Sequence, residues 1–379
     1  MPIVAWAQER NNVASSIFLN AQNEQWIAFV KKFKSTNSIS SHKINILQIG
    51  DSHIQGGYFT NQVRNLMNSK LNVSAGFTFP YNLAKTNGSE EMRYYSPNHW
   101  NVNKWNTNDS GKSPIAGYLI STNDSVIRIS IGINANNPNN RSDCIRFYHN
   151  SPGVFAECKH AQMVDTRKMG DLVYVTTFKF VTPVDSASIS FIPHQRLKEG
   201  FQLFSVEVDN YSSRVSYHAL GINGITFDGY IGKVNYLPWM RQISPDCLIV
   251  SFGTNDIYSG KINSALFASK VCGLIDTLKR AFPNMAVIIT SPGDHLRFKK
   301  YNNHAIAIAS GILRNVAIQK NCLFWDFFSE MGGEGSSRDW YKKGWMFRDY
   351  VHLSKEGYKR QGSMFYDAFM NTVEQTLEE

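Results

Sequence analysis

The chain has 379 residues, more than one hydrophobic core ordinarily organises, so two domains are expected. With 42% hydrophobic and only 18% charged residues, the composition argues against a disordered chain. No apolar run reaches the ~20 residues of a membrane span, so none is predicted. The formal charge of +9 raises nucleic acid, a membrane surface or an acidic polymer as partners. The basic residues fall only in short clusters: Lys31-Lys32 with Lys34, Lys299-Lys300 and Lys342-Lys343. No zinc-finger spacing or RNA-binding signature accompanies them, so we expect no nucleic-acid partner and a basic surface facing an anionic envelope.

In chain order, Pro2 to Ala7 followed by Gln8 has the look of the end of a secretory signal, with Ala5-x-Ala7 as the cleavage site. That similarity predicts a periplasmic or secreted protein. Residues 8–40 are expected to hold a tail and a leader helix, with Ile17, Phe18, Trp26, Ile27, Phe29, Val30 and Phe33 as its apolar contacts. A Ser/Asn linker, Ser35 to Ser41, follows. Ile44 to Ile49 is a short, mostly apolar, β-branched run that suits a strand buried in a parallel sheet. It stops at Gly50-Asp51-Ser52-His53, and a helical pattern of Phe59, Val63, Leu66 and Met67 comes next. A serine at such a turn lies at the C-terminal edge of the sheet, where open α/β folds bind ligands. The plain alternative is that Ser52 only caps a helix, with Asp51 and His53 solvated beside it.

From about Ala75 to Val208 the helical periodicity vanishes. Short β-rich runs, Val126–Ile133, Cys144–Tyr148, Leu172–Phe180, Ala187–Ile192 and Gln202–Val208, alternate with turn residues, which predicts a sandwich or jelly roll. Helix and strand alternate again from about Tyr211. Asp246–Phe252, Ala286–Thr290 and Cys322–Asp326 are further buried strands. Helical stripes lie between them: Ile262, Leu266, Phe267, Val271, Leu274, Ile275, Leu278 and Phe282 in one, residues 302–319 in the other. A last helix begins near Ser354, a suitable N-cap. The predicted organisation is a parallel α/β core over 41–74 and 211–379, interrupted by an inserted β-rich domain over 75–210. The five cysteines form no C-x-x-C pair, so no zinc or redox motif is expected. Cys247, Cys272 and Cys322 sit in apolar segments as core thiols, and Cys144 and Cys158 are free to pair in an exported protein.

Four pieces converge in this scheme. Gly50-Asp51-Ser52 follows the first strand, and Gly221-Ile222-Asn223-Gly224 lies in a turn before Asp246. Gly253-Thr254-Asn255-Asp256 follows the Asp246–Phe252 strand, and Asp349-Tyr350-Val351-His352 precedes the last helix. Each is weak alone. In this order, each just after a strand or before a helix, they are specific.

Together, Gly50-Asp51-Ser52, Gly224, Gly253-x-Asn255-Asp256 and Asp349-x-x-His352 resemble the four sequence blocks of the SGNH, or GDSL-type, serine esterases. The stretch Tyr217 to Gly224, together with Gly50–His53 and a β-rich insertion, is similar to the bacterial peptidoglycan O-acetylesterases. Their insertion is carbohydrate-module-like. The resemblance implies a three-layer, flavodoxin-like α/β sandwich. It implies a catalytic triad of Ser52, His352 and Asp349, and an oxyanion hole of Ser52, Gly224 and Asn255, with Gly221 as the competing glycine. The residue chemistry agrees: Ser52 attacks, His352 moves the proton, Asp349 orients the imidazole, and no cofactor or metal is required. The expected substrate is an acetylated glycan, most of all peptidoglycan. Rival readings are acetyl groups on other polysaccharides, a short-chain lipid or thioester, transfer of the acetyl group to a sugar, or a non-catalytic glycan-binding protein.

Plainer roles stand beside these. Asn255 can cap its own turn through its side chain. Asp256 is read as bracing its loop, and Asp326 as a poorer triad acid than Asp349 because of its distance in sequence from His352. His53 is read either as a substrate contact or as structural. Ser291 to His295 is read as a strand-exit turn that could line the pocket. Tyr94, Tyr95, His99, Trp100 and Trp105 are candidates for stacking on sugar rings, or core.

Overall fold

The computed structural model describes residues 17–35, 43–106, 113–133, 141–170 and 173–378. The signal-like segment and most of the Ser/Asn linker lie outside the described residues.

The leader helix α1 is shorter than expected, Glu24–Ser35. Residues 17–23 are not helical: Leu19 pairs as an antiparallel bridge with Phe324, and the Asn23 side chain accepts from the Trp26 backbone N–H, capping the helix. Phe18 is buried and Ile17 is exposed, because only the former turns toward the core at this bridge.

Strand β1 (Ile44–Gly50) is followed by a single turn, α2 (Ser52–Gln55), and by α3 (Tyr58–Asn68). The chain then enters the β-rich block through β2 (Val73–Ser74) and β3 (Gly76–Thr78). The block continues with β4 (Met92–Tyr95), β5 (Asn101–Lys104), β6 (Tyr118–Thr122), β7 (Ile127–Ile133), β8 (Ser142–His149) and β9 (Val154–Cys158). It ends with β10 (Met163–Lys168), β11 (Tyr174–Val184), β12 (Ser186–Pro193) and β13 (Phe201–Asp209). These form two antiparallel sheets, β10-β11-β8-β13-β6-β5 with β3 beside β13, and β4-β7-β12-β9. Alternation buries one face of each, as in β7, where Ile127, Ile129, Ile131 and Ile133 point inward. Phe147 and Phe178 of the larger sheet meet Phe191 of the smaller one at 5.3 and 5.9 Å between ring centroids, which makes the block a sandwich.

Strand β14 (Val215–Gly221), which sequence periodicity missed, returns the chain to the parallel sheet. The segment Val-Ser-Tyr-His-Ala-Leu-Gly carries polar residues, and all but Ala219 are buried, because both faces of this strand are covered. There follow α4 (Phe227–Lys233), α5 (Tyr236–Ile243), β15 (Cys247–Ser251), α6 (Thr254–Ile257), α7 (Ser264–Ala281) and β16 (Ala286–Thr290). A small hairpin, β17 (Leu296–Arg297) and β18 (Tyr301–Asn302), precedes α8 (Ala305–Gln319) and β19 (Leu323–Trp325). The chain closes with α9 (Phe327–Met331), α10 (Ser336–Lys342) and α11 (Lys355–Glu378).

The parallel sheet runs β19-β16-β15-β1-β14-β2. Leaving aside the edge strand β2 and counting in chain order, this is the doubly wound order 2-1-3-4-5 expected of a flavodoxin-like fold. The strands separate two apolar layers: Leu47 and Ile49 of β1 face one core, Ile44 and Ile46 the other. The first core continues without a break into the β-sandwich; the second lies under α1, α3 and α11.

Two readings are corrected, and the open question of a Cys144–Cys158 pairing is answered. Leu266 is exposed and does not belong to the buried stripe of α7. Cys272 is only partly buried, unlike Cys247 and Cys322. All five cysteines are free, with Cys144 on β8 and Cys158 on β9 in different sheets.

Candidate active site

The doubly wound order puts its switch point between β1 and β15, and the crevice there opens at their C-terminal ends. Ser52 follows β1 and Asn255 follows β15, so both emerge into it. The helix cap at the first turn is Asp51, not Ser52: its carboxylate accepts from the His53 backbone N–H at 3.0 Å. Ser52 is thereby left with its hydroxyl free. Its Oγ lies 2.9 Å from His352 Nε2, and His352 Nδ1 lies 2.7 Å from Asp349 Oδ2.

The D-x-x-H loop has a local cause. Met346 and Leu353 close it as an antiparallel bridge. Tyr350, in the left-handed region at φ 56, reverses the chain inside it. Asp349 Oδ1 accepts from the backbone N–H groups of Val351 and His352 at 2.9 and 3.0 Å, leaving Oδ2 for the imidazole. Ser354 Oγ accepts from the Gly357 N–H and caps α11 directly behind His352.

Electrostatics follow from these contacts. Partial burial pushes the Asp349 carboxyl up, but the imidazole and the two N–H groups outweigh it and hold the group well below the carboxylate range. The hydrogen bond to Asp349 raises His352 against the opposing effect of burial. Asp51 is almost fully buried, and burial lifts it to about 6 against the His53 N–H, the Thr254 hydroxyl and the charge of His352. Burial likewise lifts Asp256 to about 7.

Asn255 does not cap its own turn. Its Nδ2 donates across to the Ile225 carbonyl at 2.9 Å, tying the β15 loop to the loop after β14. An amide nitrogen carries two N–H groups, so one remains for a ligand. Gly224, at φ 76, lines the cleft, and a Cβ there would meet nothing within 4 Å beyond its chain neighbours. Gly221 is buried instead: a Cβ there would meet the Gln55 backbone N at 2.1 Å, and its carbonyl accepts from Tyr81 Oη. Asp256 accepts from the Phe227 N–H and braces the same pair of loops.

Ser52, Gly224, Asn255, Asp349 and His352 all line one open cleft of about 640 Å³, with Tyr58, Asn87, Asn223, Tyr258, Lys299, Phe347 and Tyr358 around them. The remaining sequence candidates sort by position. His53 stacks on His352 with centroids 5.2 Å apart and shares a hydrogen bond of 2.9 Å with Tyr358 Oη. Burial holds its imidazole well below its ordinary value, so it stays neutral behind His352. Ser291 to Asp294 line a small interior cavity that Asp51, His53 and Thr254 also line, and Asp294 accepts from Gly335 and Ser337 N–H groups. His295 is buried against Asn303. Asp326 caps α9 and accepts from Ser291, Ser310 and Ser329, away from His352.

Tyr94 and Trp100 are buried in the first core, so they are not sugar platforms. Tyr95 and His99 are exposed, and Trp105 is partly buried, its Nε1 donating to the Asn223 carbonyl at 3.3 Å. Tyr58 and Tyr358, which do line the cleft, escaped sequence reasoning, since an aromatic in a helical stripe carries no mark of facing a site. Among the described residues, no group of three or more His, Cys, Asp or Glu side chains is placed to hold a metal ion.

Residues 196–360 match the model of the GDSL-like lipase/acylhydrolase family. The chain carries a GDSL-like acylhydrolase domain. That domain makes it a carboxylic ester hydrolase. The match begins after the Gly50-Asp51-Ser52 block, because the β-sandwich separates Ser52 from the other three blocks. In fold, the acylhydrolase is similar along nearly its whole length to a peptidoglycan O-acetylesterase. The TM-score is 0.73 at 20% identity, covering 94% of this chain and 99% of that one. A partial likeness joins it to an acetyl xylan esterase, with TM-score 0.33, 19% identity, 41% of this chain and 81% of that one. Another is to a family two carbohydrate esterase from Cellvibrio japonicus, with TM-score 0.33, 10% identity, 75% of this chain and 98% of that one. No curated protein matches the chain. Among the described residues, no helix of the acylhydrolase is long and apolar enough to cross a membrane.

Proposed function

We propose that this acylhydrolase is a serine O-acetylesterase acting on a glycan, with peptidoglycan as its polymer and the space outside the cytoplasm as its place of work. The observation that carries the reading is the continuous chain Ser52–His352–Asp349, at 2.9 and 2.7 Å, on an open cleft. Neutral His352 takes the Ser52 proton as Oγ adds to the acetyl carbonyl. The Ser52 and Gly224 backbone N–H groups and the free N–H of Asn255 receive the oxyanion. Collapse of the tetrahedral adduct breaks the bond to the sugar oxygen, which leaves with the proton from His352. Water, activated by the same imidazole, then releases acetate and restores Ser52. Both His352 and Asp349 keep side chains 39% exposed, which supports access of that water. The full-length fold likeness to a peptidoglycan O-acetylesterase supports the choice of polymer.

The deciding experiment measures acetate release from O-acetylated peptidoglycan, acetylated xylan and aryl acetates by wild type and Ser52→Ala. The expected result is release from peptidoglycan that Ser52→Ala abolishes with an unchanged melting temperature. A serine-directed phosphonate should add its mass at Ser52. Undiminished turnover in Ser52→Ala, or labelling at another serine, would refute the assignment.

A further inference from the structure

The hairpin β17–β18 is built unlike an ordinary connector. The Lys300 N–H donates to the Arg297 carbonyl at 3.0 Å, closing a tight turn over Phe298 and Lys299. Both central residues have positive φ, 50 and 61, the signs of a type I′ turn. Such positions ordinarily belong to Asn and Gly; a bulky aromatic and a lysine held there are a strained choice. Strain kept at a cleft edge is a pointer to function.

The base of this hairpin is fixed on three sides. The Leu296 N–H donates to the Tyr350 carbonyl inside the Asp349–His352 loop. Arg297 donates to the Ser259 carbonyl, just beyond the Asn255 helix. Arg338 holds the Lys300 carbonyl and the Asn302 side chain. The turn is thus locked to the two loops that carry Asn255, Asp349 and His352. At its tip, Lys299 lines the same cleft as Ser52. Among the described residues Lys299 is in none of the ion pairs, whereas Lys355, which lies over the ring of cleft-lining Tyr58, is paired with Glu90. Beside it stand Tyr258, held flat on buried His295 at 6.1 Å and met edge-on by Phe298, and exposed Phe347. A cation carried on an anchored turn, in a cleft that Tyr258 and Phe347 also line, matches a ring that carries a negative charge.

Resting on the esterase reading above, we propose that the Phe298–Lys299 turn is a subsite for a carboxylate-bearing sugar of the acetylated polymer. Lys299 pairs with the carboxylate, while Tyr258 and Phe347 take the sugar face. Neutral acetylated glycans would reach Ser52 without this contact. The carboxylate can come from a lactyl ether that carries no stem peptide or from a uronic acid, and the substrates chosen separate the two.

The test compares O-acetylated muramyl glycan chains freed of their stem peptides, O-acetylated polymannuronate and acetylated xylan. For catalysis, the kcat/KM ratio of acidic to neutral polymer is measured in wild type, Lys299→Gln and Lys299→Glu. The expected result is a fall of about fivefold for Lys299→Gln, larger for Lys299→Glu, and a wild-type ratio that declines with added salt. For binding, calorimetry with Ser52→Ala, with and without Lys299→Gln, reads the same preference without turnover. The double variant Phe298→Asn with Lys299→Gly suits the turn, so it should melt higher while losing the acidic preference. A ratio and binding preference indifferent to Lys299 would overturn the subsite, with esterase activity intact. Binding preference lost in Lys299→Gln by a protein that cleaves no ester would keep the subsite and overturn the esterase reading.

Discussion

Asp51 is the side chain at which burial and charge pull in opposite directions. It sits beneath Ser52, capping the turn, with its charge facing His352. Its folded pKa of about 6 lies above the ordinary aspartate value of 3.8. A raised folded pKa gives stability that is complete below the unfolded value and lost as pH rises through the folded one. The protein should therefore lose stability between pH 4 and 6 on this account, on the order of 2 kcal/mol. Asp51→Asn keeps an oxygen for the His53 N–H and removes the charge. We expect a higher melting temperature at pH 8, a flatter stability profile over that window, and a kcat lowered severalfold. The last follows because the Asp51 charge favours the protonated form of His352. A lower melting temperature at pH 8 would contradict the argument. Asp349→Asn acts on the other side of the same imidazole. His352 must be neutral to accept the Ser52 proton, and Asp349 raises its pKa, so activity should rise with pH through a value above that of free imidazole. In Asp349→Asn that acid limb should move to lower pH and kcat should fall by roughly 10³–10⁴-fold. A pH–rate profile of both proteins reads the two effects together.

Among the elements, the turn α2 depends on two glycines that leave no room for a side chain. A Cβ on Gly50 would meet Ile54 Cγ1 at 2.3 Å and the Ser251 carbonyl at 2.7 Å. A Cβ on Gly221 would meet the Gln55 N–H and the Asp51 carbonyl, so α2 can only rest on the end of β14 if residue 221 has none. Gly221→Ala must push α2, and Ser52 with it, away from the sheet. The expected loss is about 1–3 kcal/mol of stability, the usual range for overpacking, together with a lowered kcat. Gly224→Ala is the contrast: space is open, but φ 76 costs a side chain about 1–2 kcal/mol, so its effect should fall on the loop and on kcat more than on the core. Melting temperatures and aryl acetate kinetics for the pair distinguish packing from loop conformation.

For the molecule as a whole, the β-sandwich and the hydrolase layer share one core, so the insertion is not a separable attachment. Trp100 is buried there, and Trp105 reaches from the insertion to the Asn223 carbonyl beside Gly224. Of the two readings of these rings, core or sugar platform, the structure gives core for Trp100. Trp100→Ala should cost about 3–5 kcal/mol and depress aryl acetate and polymer hydrolysis alike wherever the protein is partly unfolded. Trp105→Phe should lower kcat on both substrates with little loss of stability, because it loosens the loop that holds Gly224. A loss confined to the polymer would restore the sugar-binding role.

Much of this was legible in one dimension because the physics behind it is local. β-branched runs ending in glycine mark buried parallel strands, and Asp349-x-x-His352 needs only one short loop to bring acid and base together. The four blocks point to Ser52, Asn255, Asp349 and His352 because serine ester hydrolysis restricts which residue types can stand there, and the fold brings all four to one cleft. Strand β14 was missed because its polar residues are satisfied by partners distant in sequence: Tyr217 Oη donates to Gln48, and His218 accepts from the Phe77 N–H. Tyr94 and Trp100 were ambiguous for a related reason: an aromatic side chain has the same letter in a core and on a sugar platform, and only packing tells them apart. The stack of His53 on His352, the pKa of Asp51 and the strained turn that carries Lys299 into the cleft arise from segments brought together across the fold. Burial and proximity are properties of the folded chain, and no spacing along the sequence encodes them.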